Sequence, residues 1–127
     1  MIQGKNIDKE LFVAYNATVF DLSSSAATEM AFFHPTKDAV INNVYVTWVE
    51  GSSADTGVAL EIGSTDGGAE YFTATSSISK SAGDVETYST GNLVLGTIPA
   101  GTAVYIGHAG SKSGAGTCYV SFSYTLR

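Results

Sequence analysis

Two histidines, one cysteine and twelve carboxylates are the side chains of this 127-residue chain with catalytic or ligating potential. A catalytic triad needs a nucleophile, a base and an orienting acid in contact. His34 precedes Pro35 in a turn, and His108 ends the alternating run that begins at Val104. Neither stands in a nucleophile motif, and no Gly-x-Ser-x-Gly elbow is present. Cys118 falls on the apolar side of its strand, where a cysteine acts as a small hydrophobe. The densest acidic group is Asp66-Gly67-Gly68-Ala69-Glu70, with Asp55 and Glu61 as further carboxylates. It lacks the ligand spacing of a calcium loop and reads as a tight hairpin turn. A glycosidase needs two carboxylates at a set separation across a cleft, and no pair here is singled out. The glycine-rich stretch from Gly107 to Gly116 leads into a strand, so it lacks the helix N-terminus that binds phosphate. The expectation is a chain with no catalytic residue, no metal and no cofactor: not an enzyme.

Tyrosines are the more informative group. Tyr71, Tyr88, Tyr105 and Tyr119 fall on or near faces that alternation marks as outward. Exposed aromatics serve as sugar platforms or as subunit contacts.

The elements that must position these residues are strands. Hydrophobic residues make up 44% and charged residues only 14%, with Gly, Ser and Thr filling the difference. That mixture disfavours helices and suits strands and turns. Period-two alternation marks about eight strands, near 11–21, 29–34, 39–50, 57–63, 69–75, 84–95, 102–109 and 117–126. The stretch Ser25 to Phe33 has some helix formers, but Phe32-Phe33 before Pro35 favours a strand. Eight such strands predict an all-β fold, a single two-sheet antiparallel sandwich over 11–127, jelly-roll-like first and an immunoglobulin-like Greek key second. Residues 1–10 carry mixed charges without alternation and read as an N-terminal arm.

The net charge of −6 argues against nucleic acid, whose binders need a basic footprint. No apolar run is long enough to span a bilayer as a helix, and Met1 to Asp8 lacks the apolar core of a secretory signal. Synthesis and retention in a cytoplasm, unless an assembly carries the chain out, with no membrane partner, is the expectation.

The strand 39–50 is apolar on both faces. Val40, Val44, Val46 and Trp48 share one side, and Ile41, Tyr45 and Val49 the other. A strand of this kind is normally covered twice. Strand surfaces rich in Ser, Thr, Ala and Gly, with little Lys to guard the edges, point to a homo-oligomer, with a trimer the expected form, or to a subunit docked on a larger lattice. Ile41, Tyr45 and Val49 are candidate interface residues.

The stretch Gly96-Thr97-Ile98-Pro99-Ala100-Gly101-Thr102-Ala103-Val104-Tyr105-Ile106, its Gly/Ser loop and the closing strand Tyr119 to Leu126 resemble the end of small β-sandwich structural proteins of tailed bacteriophages. The resemblance implies a non-enzymatic virion part. Its leading form is a capsid decoration or cement protein on the outer surface of the shell, partnered by the major capsid protein and by copies of itself, with the arm at 1–10 as an implied docking element anchored by Ile2 and Ile7. The alternative is a carbohydrate- or receptor-binding module of a tail fibre or tip.

Overall fold

The computed structural model describes residues 11–89, 93 and 96–127. The arm expected at 1–10, with Ile2 and Ile7, lies outside the described residues, as does part of the strand expected at 84–95. The described chain forms ten strands: β1 (Phe12–Tyr15), β2 (Phe20–Asp21), β3 (Ser25–Phe32), β4 (Ala39–Glu50), β5 (Ala59–Gly63), β6 (Phe72–Thr75), β7 (Val85–Tyr88), β8 (Thr97–Ile98), β9 (Val104–Gly110) and β10 (Thr117–Leu126). The Ser25–Phe32 segment is a strand, as its flanking Pro35 suggested.

Two antiparallel sheets face each other. One runs β1-β10-β4-β7, with β2 beside β10 and β8 beside β4; the other runs β3-β9-β5-β6. Counting β1 with β2, and β7 with β8, as broken halves of one lane each gives lane orders 1-8-3-6 and 2-7-4-5. That is the jelly roll, a long hairpin rolled onto itself. The hairpin can be read from the registers. Phe12 with Tyr124, Ser25 with Gly110, Val44 with Tyr88 and Ile62 with Phe72 are each symmetric about positions 66–68. The pivot is the turn at Asp66-Gly67-Gly68, where Gly67 has φ +76°. A residue with a Cβ is strained in that region. Gly101 (φ +79°) does the same work in the Pro99-Ala100-Gly101 turn, where the Thr102 amide donates to the Pro99 carbonyl at 3.2 Å.

The core lies between the sheets. Val44, Val46, Trp48, Val120 and Phe122 from one sheet meet Leu60, Ile62, Phe72, Val104 and Ile106 from the other, all buried. Tyr88 and Phe72 meet edge-on at 5.5 Å. The Trp48 indole N–H donates to Glu86 Oε1 at 2.8 Å, and the Ser77 hydroxyl donates to the second oxygen of the same carboxylate.

Two local devices shape the six-stranded sheet. The first is a bulge. Ser123 pairs with Asn43 but Tyr124 pairs with Ile41, so β4 carries an extra residue at Asn42. A bulge shifts side chains to the opposite face. Ile41 and Val44 therefore both point into the core, although strict alternation puts them on opposite sides. The second device divides β1 from β2. Asn16, fully buried, accepts the Val120 amide on Oδ1 at 2.8 Å and donates through Nδ2 to the Thr18 carbonyl at 2.6 Å. Its side chain replaces a ladder bond where the backbone turns away. Beside it Glu29 of β3 accepts the Ala17 and Thr18 amides on Oε2, at 2.8 and 3.2 Å.

Candidate functional site

Both histidines, the cysteine and several of the carboxylates are engaged by the fold around them. His34 Nδ1 accepts the Thr36 and Lys37 amides at 3.3 and 3.0 Å and closes the turn after Pro35. His108 is buried, its ring 5.1 Å from that of Phe20, and its Nδ1 accepts the Gly110 amide at 3.0 Å. Burial pushes its pKa down, against the pull of Asp21. Cys118 is fully buried, and burial, with the Glu86 charge adding to it, pushes its thiol up to about 12. A thiol in that state is not a nucleophile. Glu70 binds the hydroxyl and amide of Ser64 across the pivot turn, which holds its carboxyl below the usual range. The acidic hairpin is thus turn chemistry. Among the described residues no group of three His, Cys, Asp or Glu side chains is placed to hold a metal ion.

A polar depression of about 320 Å³ sits at one end of the sandwich, lined by Asp21, Glu50 and the loops that carry Ser53 and Gly114. Here too the carboxylate serves a turn. Asp21 accepts the Ser23 hydroxyl and amide at 2.5 and 3.0 Å and the Ser24 hydroxyl at 3.0 Å. These bonds lower its pKa.

The outer face of the six-stranded sheet is the surface with unassigned chemistry. On β10 the even residues Cys118, Val120 and Phe122 point inward, so Tyr119 and Ser121 point out. Register carries that face across the sheet. Tyr15, Ser121, Tyr45 and Thr87 form one row; Tyr119, Thr47 and Val85 form the next. Val13 and Asn43 flank Ser123, and Val49 extends the face along β4. None of these side chains is charged, in a chain of net charge −6. Val13, Tyr15, Val49 and Val85 are 47–60% exposed. Val13, Tyr15, Thr47, Tyr119 and Ser121 line an open trough of about 270 Å³ along it.

The sequence-predicted residues divide accordingly. Tyr45 and Val49 lie on this face. Ile41 does not: it is 2% exposed and belongs to the core, turned inward by the Asn42 bulge. Tyr71 is also corrected, since it is 4% exposed, and Tyr88 is half-buried against Phe72. Of the four tyrosines expected outside, Tyr105 and Tyr119 stay partly exposed. Sequence reasoning left Tyr15, Val13 and Val85 out of the interface set. For the first two the signal was available in the apolar character of both sides of the 11–21 run.

No family model and no curated protein matches this chain. A solved structure does. A chain of the cyanophage Pam1 capsid asymmetric unit superposes with a TM-score of 0.57 at 19% identity, over 92% of this chain and 85% of that one. The two share a fold over most of both chains.

Proposed function

We propose that this protein is a structural component of a tailed-phage virion, of the capsid decoration type. In this reading it docks through the outer face of its six-stranded sheet, as a homo-oligomer, onto the outer surface of the shell and stabilises contacts between capsid subunits. The observation that carries the reading is that uncharged face, with Tyr15, Tyr45 and Tyr119 set among Val, Ser and Thr on an acidic molecule. Tyrosine-rich, charge-depleted surface is the composition of interface cores. The fold shared with a phage capsid chain supports the same reading. Several weak contacts made by one oligomer act at high effective concentration, so each can be modest.

The test is co-sedimentation with purified mature shells. Thr47→Glu places an unpaired carboxylate at the centre of the face, and Tyr45→Ala removes an aromatic anchor. A buried unpaired charge costs about 3 kcal/mol or more, so Thr47→Glu should lower shell binding by at least about a hundredfold. Wild-type protein that stays in the supernatant at saturating shell concentration refutes the proposal. Binding unchanged by Thr47→Glu refutes the assigned face.

The trough favours one second reading, a carbohydrate-binding module of a tail fibre or tip. Tyr15 and Tyr119 flank the hydroxyls of Thr47 and Ser121, a pairing suited to a neutral sugar ring. Glycan-array binding lost in Tyr119→Ala, with no binding to shells, selects it.

A further inference from the structure

β1 is the edge strand of the sheet that carries the proposed docking face. Its ladder to β10 fixes which way each backbone group points. The Asn16 amide donates to the Val120 carbonyl, and register then makes Ala14 with Phe122 and Phe12 with Tyr124 the hydrogen-bonded pairs. The amide and carbonyl of Val13 and of Tyr15 point the other way, to the open edge. No described residue bonds to them.

Other edges of the two sheets are guarded. β3 carries Glu29, β7 carries Glu86 next to Asp84, and β8 runs into Pro99. The edge of β6 is bridged at Phe72 by Leu93. Charge, proline and cover are the devices that block strand addition. Among the described residues, none of them guards β1 between Phe12 and Tyr15. Of nine exposed large apolar side chains among the described residues, four are Leu11, Phe12, Val13 and Tyr15. The open window is short, because the next amides, Ala17 and Thr18, are bound by Glu29.

We propose that the β1 edge pairs antiparallel with the β1 edge of a second copy of this chain, about a two-fold axis at Ala14. The register favours this occupant. With Val13 opposite the partner's Tyr15, and Tyr15 opposite the partner's Val13, both residues that face the open edge become hydrogen-bonded pairs. Four main-chain bonds form at once. Ala14 then meets its own copy at the closer, non-bonded position, where Cα atoms approach to about 4.5 Å. The small side chain there permits that approach. On the outer face the two contacts are valine against tyrosine, a favourable cross-strand pair. Charge favours it as well. Two molecules of net charge −6 repel over most of their surface, and Leu11–Asn16 offers a contact without charge. Only a few residues per copy are covered, so the pair is weak. The two outer faces merge into one continuous uncharged surface. This contact sets a count of two, where the sequence suggested three, and it stands whether or not the face binds a shell.

The experiment is sedimentation equilibrium of the isolated protein from micromolar to millimolar concentration, with amide hydrogen exchange across the same range. Weight-average mass should rise toward twice that of one chain. The Val13 and Tyr15 amides should gain protection with concentration, while the Ala14 amide stays protected throughout. Val13→Pro removes a donor that makes no bond to β10, so the fold is retained. It deletes two of the four main-chain bonds and should weaken association about ten- to hundredfold. Val13→Lys keeps the backbone and adds like charges at the seam, and should act in the same direction. A monomer at every concentration overturns the proposal. So does association untouched by both variants, or a trimer with exchange at Val13 and Tyr15 independent of concentration. Shell binding is scored separately, with Thr47→Glu, so a failure of either idea is told from a failure of the other.

Discussion

Asn16→Ala tests whether a side chain stands in for the missing ladder bond between β1 and β2. Asn16 is wholly buried, with Oδ1 on the Val120 amide and Nδ2 on the Thr18 carbonyl. Alanine leaves the Val120 amide without that acceptor, at a fully buried position. An unpaired buried donor costs about 1–3 kcal/mol. The Thr18 side adds little, because that residue is exposed and its carbonyl can turn to solvent. The expected loss is about 2 kcal/mol, a fall in Tm of about 4–10 °C for a domain of this size. Urea denaturation at pH 7 measures it, with the slope unchanged if the native fold persists. Asn16→Asp sharpens the test. It keeps an acceptor for Val120 but sets a second oxygen against the Thr18 carbonyl. Only the protonated acid can donate there, so folding raises its pKa above the unfolded value of about 3.9. A carboxyl raised on folding stabilises below its unfolded pKa, and that contribution is lost as pH rises through the folded value. Asn16→Asp should therefore be nearest to wild type in acid and worst at neutral pH. A loss under about 0.5 kcal/mol for Asn16→Ala, or an Asn16→Asp deficit that is flat with pH, refutes the role assigned to the side chain.

Two further expectations concern the buried groups. Burial lowers the His108 pKa, so the unfolded chain binds the extra proton first. Stability is then full above about pH 6.5 and falls as pH drops through the folded value. Urea midpoints measured from pH 7.5 down to 5 should show that fall, and His108→Asn should lose that part of it; parallel profiles count against it. Cys118, with its thiol pushed up to about 12, should resist a thiol-directed reagent in the native protein at pH 8 and react once denatured. Stoichiometric labelling of the native state contradicts the burial.

The sandwich was legible because β10 and β5 alternate cleanly, and a face that meets water on one side and a core on the other leaves that trace in sequence. Strand number and turn spacing suggested a jelly roll, but the order of the strands became visible only in the registers. Ile41 was misplaced because a bulge inserts one residue, and nothing in the composition of Asn42-Asn43 announces it. Tyr71 was misplaced for a different reason: its amide bonds the Ile62 carbonyl in the pivot hairpin, and its ring is buried there. The break at Asn16 was hidden because a polar residue in a strand pattern reads as an outward position. The face itself was half visible. Tyr45 and Val49 were identified from one strand, whereas Val13, Tyr15 and Val85 join it only through register between strands distant in sequence.

The fold-back about Gly67 has a consequence for biogenesis. β10 closes this sequence, yet it is an interior lane of its sheet, gripped by β1 and β2 on one side and β4 on the other. The ribosome must therefore deliver the residues through β10 before that sheet can exist. Until then β4, with Val44, Val46 and Trp48, waits without its neighbour. Nested pairings of this span are slow to form. Loss of β10 alone would split that sheet into β1 with β2 and β4 with β7 and β8, so a product cut before Thr117 should be cleared or aggregate rather than persist in shortened form.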